Sequence, residues 1–258
     1  IHRHAWRTDA LSMACAPALP PVLPGGSIVG PLAPDSFPVR IGAADIRTVA
    51  VLAGHDHPVA AAPIRSAYPG AIVDSLGTAE LVYAETARAL GPLNGLVRAI
   101  PAAPGMVDAC LHVFEQLEDT DAQAQLEADR LRAELTSGAP YTAFSADIRD
   151  VLEAATVVAG SVLNHMARAG VAEGDLFVTG GRARSGAFMQ LRADLLDRPV
   201  IRVDEAELCG LGAAIVAAAA NGRDIVPDLA VTRFTPSPER VAHYRAAPVS
   251  LPPEHALQ

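Results

Sequence analysis

"LFVTGGRARSGAFMQLRADLLDRPV", residues 176–200, joins an apolar run to an amphipathic one through a pair of glycines. Leu176 to Thr179 have the composition of a buried strand, and the strand stops at Gly180 and Gly181. Ser185 then stands at the N-cap of an amphipathic run, so a helix begins as soon as the turn is complete. "PVIRVD" (199–204) reads as a second strand. "ELCGLGAAIVAAAANG" (207–222) reads as a small-residue helix ending at Gly222, with Gly210 and Gly212 permitting close packing on a neighbour. Strand, helix, strand and helix in this order predict α/β layering. A Gly-Gly turn between strand and helix lets backbone approach a flat or anionic ligand with no Cβ in the way, although such turns also serve packing alone.

Upstream, "SADIRDVLEAATVVAGSVLNHMARAG" (145–170) predicts a helix with Ser145 at the N-cap, Asp147 in the first turn and Gly170 as its stop. "MVDACLHVFEQLEDTDAQAQLEADRLRAEL" (106–135) has helical spacing and alternating charge, and predicts one or two solvated helices. "AIVDSLGTAELVYAE" (71–85) predicts two strands broken at Gly77, a bend that brings backbone N–H groups close to an anion. "RTVAVLAG" (47–54) is a buried-type strand. Continued to residue 57, it places His55 and His57 on one side and Asp56 on the other, so the three do not converge on a metal and no metal site is expected. "GGSIVGPL" (25–32) predicts a small hairpin inside a Pro/Gly-rich lead-in, and the Pro-rich chain from Pro227 is expected to lie over the surface.

The chain has 258 residues, half of them apolar, which suits one large or two modest globular domains. Its net charge of −9 excludes a basic nucleic-acid surface. All 20 basic residues are Arg, so a P-loop, which needs a Lys on the phosphates, is excluded. Cys15, Cys110 and Cys209 are too dispersed for a disulfide framework or a zinc set and read as reduced thiols of a cytoplasmic protein. The longest apolar run, Leu211 to Ala220, is too short to span a bilayer, and no secretory leader opens the chain. "IHRHAWRTDA" (1–10) reads as a segment already under way.

Three segments in fixed order carry a resemblance: a strand ending in "GHDH" (54–57), the hairpin "DSLGTAE" (74–80), and "TGGRARSGAFMQLRADLLDRPV" (179–200) followed by "ELCGLGAAIVAA" (207–218). Together they resemble the C-terminal half of the FGGY carbohydrate kinases, which include xylulokinases, ribulokinases and glycerol kinases. The resemblance runs from about Ala18 to about Tyr244 and is weakest between 87 and 145. It implies an actin-like (ribonuclease H-like) α/β ATPase domain, the second of two that close on ATP, Mg2+ and a sugar or polyol. Residues 1–45 would be the lead-in, 46–226 the kinase domain with a variable helical insert at 86–145, and 227–258 the tail.

Carried over residue by residue, the resemblance makes Asp56 the base that takes the proton from the attacking hydroxyl. It sets Gly77 and Thr78 against the ATP phosphates and Gly180 and Gly181 at the nucleoside, with Arg184 and Ser185 continuing that loop. His57 would touch substrate. Glu205 and Glu207 read as helix N-terminal charges, and Glu153 and His165 as surface or satisfied core groups. No early D-G-[GS]-T occurs, and the family's LPYLxGER segment is missing after Glu85, so the first kinase domain is absent from this sequence. The expectation is a half-kinase inactive alone, needing the missing N-terminal domain or a second subunit. The alternative is a non-catalytic nucleotide-binding module that acts as a partner or scaffold. No membrane partner is expected, and a homo-oligomer is left open.

Overall fold

The computed structural model describes residues 21–32, 48–77, 80–86, 90, 97–100, 108–114, 122–171 and 174–249, with the backbone alone described at 98–100, 108–114 and 122–128. Nine strands and six helices are placed among these residues. Strands β1 (Ile28–Pro31) and β2 (Val49–Val51) form a small antiparallel sheet, so the expected hairpin strand finds its partner across the residue 45 boundary. Helix α1 (Asp56–Ala67) follows, then β3 (Ile72–Leu76) and β4 (Glu80–Thr86), the hairpin expected around Gly77. Next come β5 (Arg98–Ile100), β6 (Asp108–Phe114), α2 (Ala122–Thr136), α3 (Ala146–Arg168), β7 (Leu176–Thr179), α4 (Gly186–Leu196), β8 (Val200–Val203), α5 (Leu208–Ala220), β9 (Val231–Phe234) and α6 (Pro238–Ala246).

Seven of these strands make one sheet in the order β5-β6-β4-β3-β7-β8-β9. At its centre β3, β7 and β8 run parallel, and the flanking pairs are antiparallel. Strand alternation divides the core into two layers. Leu176, Val178, Ile72, Leu76, Val82 and Val200 join α3 and α4 in one cluster. Phe177, Val73, Tyr83, Ile201 and Val203 join α1 and α5 in the other. Leu176, Phe188 and Leu191 are wholly buried, and each such side chain contributes about 1.5–3 kcal/mol relative to exposure. The result is a helix–sheet–helix sandwich, as the strand–helix alternation of 176–222 predicted.

Four expectations are corrected. The strand at 47–54 is three residues long and does not run to 57. Gly54 adopts φ +131°, His55 is the extended N-cap and Asp56 is the first residue of α1. Pro58 then falls in the first helical turn, where a missing N–H costs nothing, and this makes the helix start compatible with the sequence. The alternation argument for His55, Asp56 and His57 therefore lapses. The run at 106–135 is not wholly helical, nor is the insert at 86–145: β6 pairs with β4 from Thr86↔Asp108 to Glu80↔Phe114, and β5 continues the sheet. A free β4 edge outweighs weak helical periodicity.

The tail from Pro227 is not a surface strap. β9 completes the sheet edge on β8, and α6 begins with Pro238 in its first turn, where proline is favoured. The carboxylate of Asp194 on α4 accepts N–H bonds from Ser237 (2.7 Å) and Gln190 (2.8 Å) and the Tyr141 hydroxyl (3.0 Å), which fixes the tail to the body. Lastly, Ser145 occupies the α3 N-cap but its hydroxyl does not cap the helix. It donates to Glu134 at 2.6 Å, and the Ser145 N–H donates to the same carboxylate at 2.9 Å. Gly170, at φ +98°, ends α3 as expected. Among the described residues no helix is long and apolar enough to cross a membrane.

Candidate functional site

Because β3, β7 and β8 are parallel neighbours, their exits lie side by side on one crest of the sheet, where ligands bind in folds of this kind. Gly77 leaves β3 there, Gly180 and Gly181 leave β7, and Asp204 and Glu205 leave β8. Gly180 is required twice over. Its φ is +100°, and a Cβ would stand 2.5 Å from the Leu76 carbonyl oxygen, so the exits of β3 and β7 touch backbone to backbone. Gly181 is different: a Cβ there would meet nothing within 4 Å, although the residue borders a cleft.

That cleft has a volume of about 280 Å3 and is walled by Gly180, Gly181, Arg184, Arg202, Asp204 and Glu205. Its lining is predominantly polar and carries both cations and carboxylates. Arg184 is thus in the wall. Ser185 is buried beneath it and accepts the Phe188 N–H at 3.3 Å as the α4 N-cap. Arg202 and Asp204 were missed by the sequence reading. Arg202 donates through Nε to Asp204 at 2.6 Å and through Nη1 to the Arg184 carbonyl at 3.4 Å, and its guanidinium lies over the Phe234 ring. Thr232 on β9 donates to Asp204 at 2.8 Å, so the edge strand braces the cleft floor. The one sequence signal was a cation between Ile201 and Val203 in an otherwise apolar strand.

Asp56 reaches the same crest by another route. α1 packs against α5 so closely that a Cβ on Gly212 would lie 1.8 Å from the Val59 carbonyl oxygen. The Cys209 thiol, in the first turn of α5 and four residues beyond Glu205, faces the Asp56 carbonyl at 3.8 Å. The Asp56 carboxylate is exposed; its Oδ1 lies 2.6 Å from His55 Nδ1 and accepts the His57 N–H at 3.0 Å. His57 titrates below its ordinary value of 6.5 because desolvation outweighs the attraction of Asp56, with His55 adding to the lowering. Thr78 lies outside the described residues. Among those described, no group of three or more His, Cys, Asp or Glu gathers in metal-holding geometry.

Under the crest, Arg192 is wholly buried and donates to Asp74 on β3 and, at 3.0 Å, to Glu80 on β4. These two strands flank the Gly77 turn, so the turn stands on an ionic base.

The sheet, parallel at its centre, with helices on both faces and a polar cleft at the strand exits, has an actin-like α/β fold. The chain matches, over residues 127–221, the model of the C-terminal domain of the FGGY family of carbohydrate kinases. It is 41% identical over 75 residues to a glycerol kinase of Methylobacterium radiotolerans, covering 29% of this chain and 15% of that protein. It is 36% identical over 106 residues to a ribulokinase of Mycolicibacterium smegmatis, covering 38% and 19%. The fold aligns with a xylulose kinase from Rhodospirillum rubrum at a TM-score of 0.62 and 21% identity, over 88% of this chain and 54% of that one. The chain thus spans about half the length of the kinase structure it resembles, and its alignments cover less than a fifth of each curated relative.

Proposed function

We propose that this chain is the nucleotide-binding, base-bearing half of an ATP-dependent kinase acting on a sugar or polyol hydroxyl. The observation that carries the reading is the cleft at the exits of β7 and β8, set beside the Gly77 turn at the exit of β3. Gly181 supports it, since it borders the cleft and the space within 4 Å of where its Cβ would stand is open. In this reading Gly180, Gly181 and Arg184 receive the nucleoside, and Gly77 with Thr78 faces the phosphates. Asp56 takes the proton of the attacking hydroxyl, and His57 stands where it can contact that substrate. Ser185 acts from below, by holding the start of α4. Mg2+ would arrive on the nucleotide phosphates, because this ion keeps most of its waters and needs only one or two carboxylates.

Phosphoryl transfer depends on in-line positioning, and one wall of a cleft cannot hold both reactants. The chain alone is therefore expected to bind ADP in calorimetry and to produce no ADP from ATP and sugar. Adding the N-terminal half should restore sugar-dependent turnover. Asp56→Asn should then lower kcat by about 10²–10⁴-fold and leave ADP affinity unchanged. Absence of ADP binding by the wild-type chain would overturn the reading. ADP binding with no turnover after reconstitution would instead favour a non-catalytic nucleotide-binding partner module.

A further inference from the structure

We infer that Arg182 is a positioning residue of the nucleotide site, clamping the loop after β7 to the Gly77 turn after β3. The inference rests on the nucleotide reading above and adds a residue to it. Arg182 follows the glycine pair, in a short 3-10 turn (Arg182–Arg184), and is separated from Gly77 by 105 positions. Its Nη2 donates to the Gly77 carbonyl oxygen at 2.5 Å.

The Gly77 carbonyl needs such a partner. The β3–β4 ladder ends at Leu76↔Glu80, so Gly77 lies beyond the last strand pair. In a turn that meets an anion, a carbonyl free to rotate presents its negative end to the phosphates in some conformations. A guanidinium that takes this oxygen removes those conformations. Gly180 cannot supply the tether, because its Cα already abuts Leu76 and no side chain fits. A long cation two residues later can reach around that contact.

The core holds Arg182 in place. Asp74 and Glu80 bring two carboxyl groups under the turn and Arg192 brings one guanidinium, so the trio carries an excess of negative charge whenever Asp74 is ionised. Arg182 is drawn to both carboxylates and is partly desolvated, while Arg192 repels it. It is therefore the second cation of a four-charge cluster and the only member of it that bonds the turn among the described residues. Its Nη2 sets the loop, while the attraction of the two carboxylates acts on the guanidinium as a whole. A clamp of this kind acts on the part of the ligand that touches the turn, the phosphates, and leaves the nucleoside contacts of Gly180 and Gly181 unchanged.

Calorimetry on the chain with adenosine and with ADP tests this. Arg182→Met, which keeps the aliphatic stem, should weaken ADP by about tenfold or more and leave adenosine within about twofold. Arg182→Lys should recover only part of the ADP affinity, since an ammonium lacks the reach and fork of a guanidinium. Equal losses for both ligands, no loss for either, or full recovery by Arg182→Lys would overturn the clamp. Amide hydrogen exchange without ligand separates this failure from that of the nucleotide reading. Exchange around Gly77 should quicken in Arg182→Met, and unchanged exchange overturns the clamp whatever binds. A wild-type chain that binds neither ligand removes the nucleotide reading itself, and with it the role given to the clamp.

Discussion

Gly212→Ala is expected to destabilise the domain by more than the roughly 1–3 kcal/mol usual for an overpacked core. The new Cβ would lie 1.8 Å from the Val59 carbonyl oxygen, 2.7 Å from its carbon and 3.2 Å from Pro63 Cδ. The first two are backbone atoms inside α1, so no rotamer change can relieve the overlap. α1 and α5 must separate instead, opening the cluster of Ala61, Ile64 and Leu208. Alanine's better helix propensity returns only about 1 kcal/mol, so the sign is not in doubt. Gly210→Ala is the internal control. It lies in the same helix, its Cβ would meet nothing within 4 Å, and it should stabilise by up to about 1 kcal/mol. Urea midpoints of the two variants should move in opposite directions. The separation of α1 from α5 also carries Asp56 away from Cys209, so Gly212→Ala should impair phosphoryl transfer in the reconstituted enzyme more than it impairs ADP binding.

Residues 176–222 were legible because each boundary there is signalled locally. Glycines close the strand, Ser185 caps α4 with its own hydroxyl, and near-continuous apolar runs mark β7 and β8 as buried strands. The hairpin at Gly77 was legible for the same reason. Elements whose state is decided at a distance were not. β6 carries "DACLHVF", which suits strand or helix, and only the unpaired edge of β4 selects the strand. β9 is short, half exposed and bracketed by prolines, so it reads as a strap until β8 offers it an edge. The start of α1 was misjudged because His55, Asp56 and His57 were continued as strand, although Pro58 is better placed in a first helical turn.

The candidate site divides along the same line. Gly180, Gly181 and Arg184 belong to one turn, and their position on the cleft follows from that turn. Arg202 and Asp204 depend on Thr232, which lies in the stretch read as tail. Arg182 sits in the most informative stretch of the sequence, yet its partner is 105 positions away, and nothing in local pattern pairs a cation with a distant carbonyl. Asp56 shows the converse. The resemblance singled out this residue, while its place at the start of α1 was not legible locally.

Arg192→Met is expected to cost about 3–5 kcal/mol, the usual result of removing one partner from a buried ion pair. That is a large part of the roughly 5–15 kcal/mol that holds a domain folded. The loss should depend on pH, with a sign fixed by Asp74. Burial pushes its carboxyl from the ordinary 3.8 up to about 7, Arg192 opposes this, and the Glu80 charge adds to it. A group raised in the fold contributes its stability below its unfolded value and loses it as pH rises through the folded one. For Asp74 that window runs from 3.8 to about 7. The wild type should therefore lose stability across this window by an amount that Asp74→Asn, which cannot titrate, does not lose. In Arg192→Met the two carboxylates keep no guanidinium between them, so their protonation becomes the main relief. The variant should lie closest to wild type near about pH 4 and fall furthest behind near about pH 8. Adding Asp74→Asn and Glu80→Gln should restore much of the loss at neutral pH, because neutral amides lack the charge that Arg192 offsets. Urea denaturation of the four proteins at these two pH values checks each step. A uniform loss in Arg192→Met at both would assign the role of Arg192 to packing against Phe188, whose ring lies 5.5 Å from its guanidinium, rather than to charge.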